Sequence, residues 1–267
     1  MMRQPSVAGQ FYSADRSHLI SEISSLIVER QPKQQAFGIL APHAGYVYSG
    51  AVAGAVFGSV EIPDTVIILG PNHHGLGGPA SLFPAGEWLT PLGSVTIESR
   101  LSELVLRSSR ILRSDSSAHR FEHSIEVQIP FLQYLRPEVQ IVPICLSYLD
   151  YESCRALGTS LAQSIKTFGK HVLIVASTDM SHYEPDAVAR NKDNLALKEL
   201  LELYPEGLYT VVTGMGISMC GIIPATVMLV AALDLGATKC ELVRYATSGD
   251  VSGDRRQVVG YAGVVVT

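Results

Sequence analysis

Long apolar runs, paired cysteines, a basic excess and nucleotide-binding glycine patterns are all missing from this chain, and each absence narrows its function. No apolar stretch reaches the length needed to cross a bilayer, although 47% of the 267 residues are hydrophobic and mean hydropathy is +0.23. A membrane span is therefore not expected, whereas a large core is. The four cysteines (Cys145, Cys154, Cys220, Cys240) form no Cys-x-x-Cys pair, and no secretory pattern marks Met1-Met2-Arg3-Gln4-Pro5. Both features predict a reducing, cytoplasmic setting rather than a disulfide framework. A formal net charge of −5 supplies no basic footprint, so nucleic acid is not an expected partner. Charged residues make up only 17%, a scarcity that suits a surface partly covered by another subunit, as in a homo-oligomer. No Gly-x-Gly-x-x-Gly or Gly-x-x-x-x-Gly-Lys-Ser/Thr pattern follows an apolar run, and no Gly-x-Ser-x-Gly elbow occurs. Nucleotide binding and serine hydrolysis by those devices are excluded.

What the chain does have is an alternation of buried-strand and helix patterns. Apolar, β-branched runs predict strands at 36–40, 64–69, 139–146, 171–176, 240–246 and 258–266. Helical periodicity predicts helices from Asp15 to about Arg30 and over 49–60, 98–109, 123–135, 151–168, 186–203, 205–213 and 220–235. Pro130 is expected to kink or restart its helix, whereas Pro224 falls in the tolerated first turns. The small residues of 49–60 suit a helix packed closely on a sheet. Residues 3–12 read as a lead-in that covers another element. Residues 75–93 read as a long Gly/Pro-rich loop holding the single tryptophan, Trp88. The alternation predicts one α/β domain over 1–267, with a central, mostly parallel or mixed sheet flanked by helices on both faces.

Three of these strands end in turn signals that deliver histidine: His43 after 36–40, His73 and His74 after 64–69, and His182 after 171–176. In open α/β sheets ligands bind at that carboxyl edge. One such histidine most often caps its loop, but three at equivalent positions point to a metal if the strands are neighbours. Adjacent side chains leaving a strand point to opposite sides, so only one of His73 and His74 is expected to face that cleft. Cys220 precedes an apolar helix. It is either a small buried hydrophobe or a thiolate whose pKa is lowered by the helix start. Cys145, Cys154 and Cys240 read as packing. Asp179, three residues before His182, either caps a turn or bonds a ring nitrogen and sets its tautomer. His123 and Glu126, three apart, form either a second acid/base pair on one helix face or a capping cluster. His18, His119 and His171 read as surface or element-end residues.

The segments Ala41-Pro42-His43-Ala44-Gly45-Tyr46, Leu69-Gly70-Pro71-Asn72-His73-His74, His123-Ser124-Ile125-Glu126, Ser177-Thr178-Asp179-Met180-Ser181-His182 and Cys220-Gly221 follow one another in this order. In that series the whole chain resembles the Memo family, most of all its prokaryotic branch, the AmmeMemoRadiSam system protein B type. The resemblance implies a fold similar to class III extradiol dioxygenases. It also implies partners of the AMMECR-domain and radical SAM kinds. Carried over motif by motif, it makes His43 and His73 metal ligands, with Cys220 where the dioxygenases use glutamate. It makes His182 an acid/base near bound oxygen, with Asp179 orienting it and His123 a further pocket histidine. Two imidazoles and a thiolate suit Fe(II) or copper, with zinc possible. A thiolate beside iron and oxygen invites its own oxidation, so ring cleavage does not carry over. The implied function is a metal-binding protein with a redox-type site. The rivals are a non-catalytic cleft that recognises a peptide or protein partner, and a zinc-dependent hydrolase with His182 as general base.

Overall fold

In the computed structural model, which describes residues 1–267, the elements run in chain order as follows. The first half contains β1 (Met2–Arg3), α1 (Arg16–Leu26), β2 (Gly38–Ala41), α2 (Tyr46–Gly58), β3 (Thr65–Pro71), β4 (Ala80–Leu82), β5 (Glu87–Thr90), β6 (Gly93–Ile97), α3 (Ser99–Ser108), β7 (Arg113–Ser114) and α4 (Ile129–Leu135). The second half contains β8 (Gln140–Leu146), α5 (Tyr151–Phe168), β9 (Val172–Ser177), β10 (His182–Glu184), α6 (Asp186–Leu201), α7 (Pro205–Gly214), α8 (Ile222–Leu235), β11 (Cys240–Thr247), α9 (Gly249–Ser252) and β12 (Val258–Val266). One sheet joins the strands in the order β1-β5-β6-β8-β3-β9-β2-β12-β10, with β11 on β12, β4 on β8 and β7 on β4.

The centre of the sheet, β8-β3-β9-β2, is parallel, while β12 runs antiparallel to β2 and β11. The sheet is therefore mixed, and it carries a separate core on each face. Side chains alternate along a strand, so β3 sends Val66 and Ile68 to one side and Ile67 and Leu69 to the other. The first pair packs with Ile39, Leu173 and Val175 beneath α1, α2 and α4. The second packs with Leu40, Ile174 and Ala176 beneath α3, α5 and α8. This double burial explains why the run lacks polar alternation. Each such side chain contributes about 1.5–3 kcal/mol of transfer free energy. The helix α8 is apolar all round because it lies between the sheet and α5. The result is one α/β domain with helices on both faces, as the pattern predicted. No helix is long and apolar enough to cross a membrane.

Several boundaries and several short elements differ from the sequence reading. The first helix stops at Leu26, four residues short of Arg30, because the backbone turns extended at Ile27 and residues 26–28 lie against α2. Gly54 and Gly58 make that approach possible: a Cβ at either would collide with the carbonyl of Leu26 or Val28. The small residues of α2 thus serve a chain crossing as well as the sheet. Residues 75–93 are not one loop. They contain β4 and β5, and β5 forms a tight hairpin with β6 that buries Trp88 completely. His123 lies outside any helix, ahead of a single 3-10 turn (Glu126–Gln128), and Pro130 sits in the first turn of α4, where it starts the helix instead of kinking it. The strands β1, β6, β7 and β10 and the one-turn helix α9 were not foreseen either.

Candidate metal centre

The strands β2, β9 and β3 are neighbours, so their three mouths open side by side. Each places a polar residue two positions past its last strand residue: His43 after β2, Asp179 after β9 and His73 after β3. The Thr178 N–H donates to Ala41 O at 2.9 Å and keeps the β2 and β9 ends in step. His123 comes from the irregular segment before α4. Ser124 ties that segment to the end of β3 by donating its hydroxyl to Pro71 O at 3.0 Å. Cys220 comes from the turn that opens α8.

Three imidazoles converge at this edge. Ring centroids are 5.2 Å apart for His43 and His73, 5.4 Å for His43 and His123, and 4.6 Å for the stacked pair His73 and His123. One nitrogen from each lies within 4.8 Å of the others, so this group can hold a metal ion. His43 is 2% exposed, and burial holds its pKa well below the usual histidine value, reinforced by the neighbouring His123 and His73. Burial likewise lowers His123 to about 4, against the opposing pull of Glu122. Both rings are neutral at pH 7, as metal ligation requires.

Hydrogen bonds determine which ring nitrogen carries the proton. The hydroxyl of Ser177 donates to Ser124 O at 2.7 Å and accepts from Gln128 Nε2 at 2.8 Å. Its remaining lone pair faces Nδ1 of His43 at 2.8 Å, so Nδ1 must carry hydrogen and Nε2 is a free donor atom. Glu122 does the same for His73. This fully buried carboxylate accepts from Nδ1 of His73 at 2.8 Å, from its backbone N–H at 2.7 Å and from Ser124 N–H at 2.9 Å. Burial alone would raise the pKa of Glu122, but these bonds, led by that to the His73 ring, hold it well below the ordinary carboxylate range. Carboxylate-backed imidazole is the usual support of a metal-binding histidine.

The Cys220 sulfur lies 3.3 Å from Nε2 of His43 and accepts the Asp179 N–H at 3.2 Å. Of the two readings the sequence left open for it, its setting speaks against a lowered pKa. Burial and then the charge of Asp179 push the thiol up, outweighing the backbone donor at the helix start. Only an opposite charge such as a metal cation would release its proton at neutral pH. Asp179, 4% exposed, bonds no ring nitrogen; its Oδ1 accepts the His43 N–H at 2.8 Å and thereby holds the His43 loop. Burial raises its pKa against that bond. His182 is held instead by Ser218: its N–H donates to the hydroxyl at 2.8 Å, and Nδ1 donates to the carbonyl at 2.9 Å. Ser218 is two residues from Cys220, so His182 is linked to the thiol loop rather than to Asp179. Glu126 is not the partner of His123. It is buried and bound to Arg3 and Tyr12, while His123 Nδ1 lies 3.5 Å from Glu122.

Sequence reasoning missed Glu122, Ser177, Gln128 and Ser124. The pair Glu122-His123 was visible as a carboxylate beside an imidazole, but its target, His73, is 49 positions away. His119 ends a 3-10 turn (Ser117–His119), as an element-end residue, but it is not on the surface: it is fully buried, edge-on to Trp88 and Phe83, with Nε2 on Ser81 O at 3.0 Å. His171 bonds Ala36 O at 3.0 Å, and His18 is exposed beside Asp15. His74 points away from the cluster toward Phe121, 6.3 Å between ring centroids. Cys145 and Cys154 are buried packing residues, and Cys240 is partly exposed.

Comparison with known proteins finds relatives over nearly the whole chain. The family model described as Memo-like protein matches residues 3–265. A MEMO1 family protein of Aquifex aeolicus is 43% identical over 267 residues, covering 99% of this chain and 98% of the relative. One from Pyrobaculum arsenaticum is 40% identical over 276 residues, covering 99% and 98%. Among solved structures, an uncharacterized protein of Escherichia coli K12 superposes with a TM-score of 0.56, covering 85% of this chain and 98% of its own. At 13% identity that likeness concerns the fold alone.

Proposed function

The chain belongs to the Memo family, and from that premise we propose that its cleft is a redox-type metal centre, holding iron or copper through His43, His73 and Cys220. One observation carries the reading. Two donors sharing a near-tetrahedral ion, a nitrogen at about 2.05 Å and a thiolate sulfur at about 2.3 Å, are roughly 3.5 Å apart. The Cys220 sulfur and the bare Nε2 of His43 are 3.3 Å apart. The donor set of two imidazoles and one thiolate is soft enough for copper and suits Fe(II) as well. When bound, such an ion would supply one-electron chemistry and Lewis acidity. The protein supplies the rest. Ser177 and Glu122 keep Nε2 of His43 and His73 bare, and Asp179 fixes the His43 loop. His182, its Nδ1–H held by Ser218, offers Nε2 as a proton acceptor at the cleft. His123, neutral against Phe11 at 4.9 Å, lines the site beside the ligands.

The proximity of three imidazoles favours a second reading, an all-nitrogen set of His43, His73 and His123 of the kind that holds zinc. Element analysis of protein purified without oxygen or added metal separates the two. In the first reading His43→Ala, His73→Ala and Cys220→Ala lose bound iron or copper, while His123→Ala keeps it. Zinc retained by Cys220→Ala and lost from His123→Ala selects the second. Metal content unchanged in all four variants refutes both and leaves the cleft as a binding surface.

A further inference from the structure

Residues 3–12 touch the segments that carry His43 and His123, and through Arg3 the backbone of Glu122, whose carboxylate holds His73. Arg3 is 5% exposed, and its guanidinium lies over Trp88 at 4.1 Å from the ring centroid. Its Nε donates to His119 O at 2.7 Å, Nη1 to Glu126 Oε2 at 2.6 Å and Nη2 to Glu122 O at 2.6 Å. Fully buried Glu126 also accepts Ser6 N–H at 2.8 Å, Val7 N–H at 3.0 Å and the Tyr12 hydroxyl at 2.7 Å. Farther along, Phe11 packs its ring on His123, and its carbonyl accepts the N–H of Tyr46, three residues after His43, at 2.8 Å.

We propose that Arg3 and Glu126 form a clasp that positions Glu122, and through Glu122 the metal-binding nitrogen of His73. Glu122 lies in a segment with no regular structure, so its backbone has no ladder to hold it. Its carboxylate is anchored to His73 and Ser124, and the opposite side of the residue, the carbonyl, is anchored to Arg3. A ligand must be held within about 0.5 Å of its productive place, which isolated loops do not achieve. The planar guanidinium serves three acceptors outside its own segment, besides the neighbouring Gln4 O at 3.3 Å, at fixed angles that an ammonium cannot reproduce. Arg3 is thus a positioning residue of the centre, and Glu126 holds Arg3 in place. The inference rests on His73 being a ligand, as proposed above.

The test is the affinity for Co²⁺, measured by competition with a chelator, together with the visible Co²⁺ spectrum. Arg3→Lys is expected to weaken Co²⁺ about tenfold and to alter the spectrum, and Glu126→Gln acts in the same direction. Arg3→Lys combined with Glu122→Gln binds within about twofold of Glu122→Gln alone, because both changes act through one path. Leu161→Ala, a buried change in the opposite core, lowers stability but leaves affinity unchanged. Unaltered affinity in Arg3→Lys, multiplicative losses in the double variant, or an equal loss in Leu161→Ala overturns the clasp. If Arg3→Lys does not fold, Glu126→Gln and Tyr12→Phe take its place, with the same expectations. A parent protein that binds no Co²⁺ refutes the metal reading and the clasp together, whereas a parent that binds while the clasp variants match it refutes the clasp alone.

Discussion

Replacing Glu122 by glutamine isolates what the buried carboxylate does for His73. The carboxylate accepts three hydrogen bonds, with Oε1 serving Nδ1 of His73 and Ser124 N–H, and Oε2 serving His73 N–H. Glutamine has one acceptor and one donor at these positions. With its oxygen in place of Oε1 it keeps two bonds but points an NH₂ at the His73 N–H. With its oxygen in place of Oε2 it keeps one and forces the His73 proton onto Nε2, which blocks the metal-binding lone pair. Hydrogen bonds to a charged acceptor are worth about 1.5–3 kcal/mol, so we expect a stability loss of roughly 2–4 kcal/mol in urea unfolding. Metal affinity should fall ~10–100-fold, or about 1.4–2.7 kcal/mol, in chelator competition. The pH dependence follows from the depressed pKa of Glu122, whose ordinary value is 4.5. Its contribution is present above that value and is lost as pH falls below it toward the folded-state value. The stability difference between parent and variant should therefore shrink on acidification below about pH 4.5. A variant that binds metal as tightly as the parent, with an undiminished gap at low pH, would refute the assignment.

Four further outcomes are expected. Cys220→Ser keeps an acceptor for the Asp179 N–H but removes the sulfur, so the sulfur-to-metal charge-transfer band of the Co²⁺ form should vanish; its persistence removes Cys220 from the ligand set. Ser177→Ala leaves Nδ1 of His43 without an acceptor, and metal affinity should drop on the order of tenfold in the same titration. Gly221→Ala places a methyl inside van der Waals contact of Thr178 and Ser177 O, and urea unfolding should register a loss of about 1–3 kcal/mol. Lastly, burial lowers His119 from 6.5 to about 4. The folded state therefore resists a proton that the unfolded state takes up, and stability on the order of 3 kcal/mol is lost as pH falls from 6.5 to about 4. His119→Gln should flatten that limb, and an identical pH profile in parent and variant would contradict it.

Local pattern determined much of this protein. β-branched runs of five to nine residues marked the central strands because burial on both faces leaves no room for polar alternation. The turn signals marked where those strands stop, and so placed His43 and His73 at the carboxyl edge, whereas the matching position after β9 holds Asp179, His182 opens β10, and the third imidazole of the cluster is His123. Short or interrupted patterns were the ones misread. Four-residue β5 has too little alternation to separate from a loop, and His123 stands in a single 3-10 turn's approach rather than on a helix face.

Tertiary structure alone decided the partners. That β9 lies between β2 and β3 is a matter of strand order, which no residue in those strands announces. Glu122 reaches His73 across 49 positions, Ser177 reaches His43 across 134 and Arg3 reaches Glu126 across 123. Hydrogen bonds of this kind depend on distances near 2.8 Å between atoms that only packing brings together. Periodicity reports which face of an element is buried, but not which buried carboxylate meets which imidazole. For that reason the residue types at the strand ends could be read along the chain, while the atoms that leave Nε2 bare on His43 and His73 emerge only in the folded cleft.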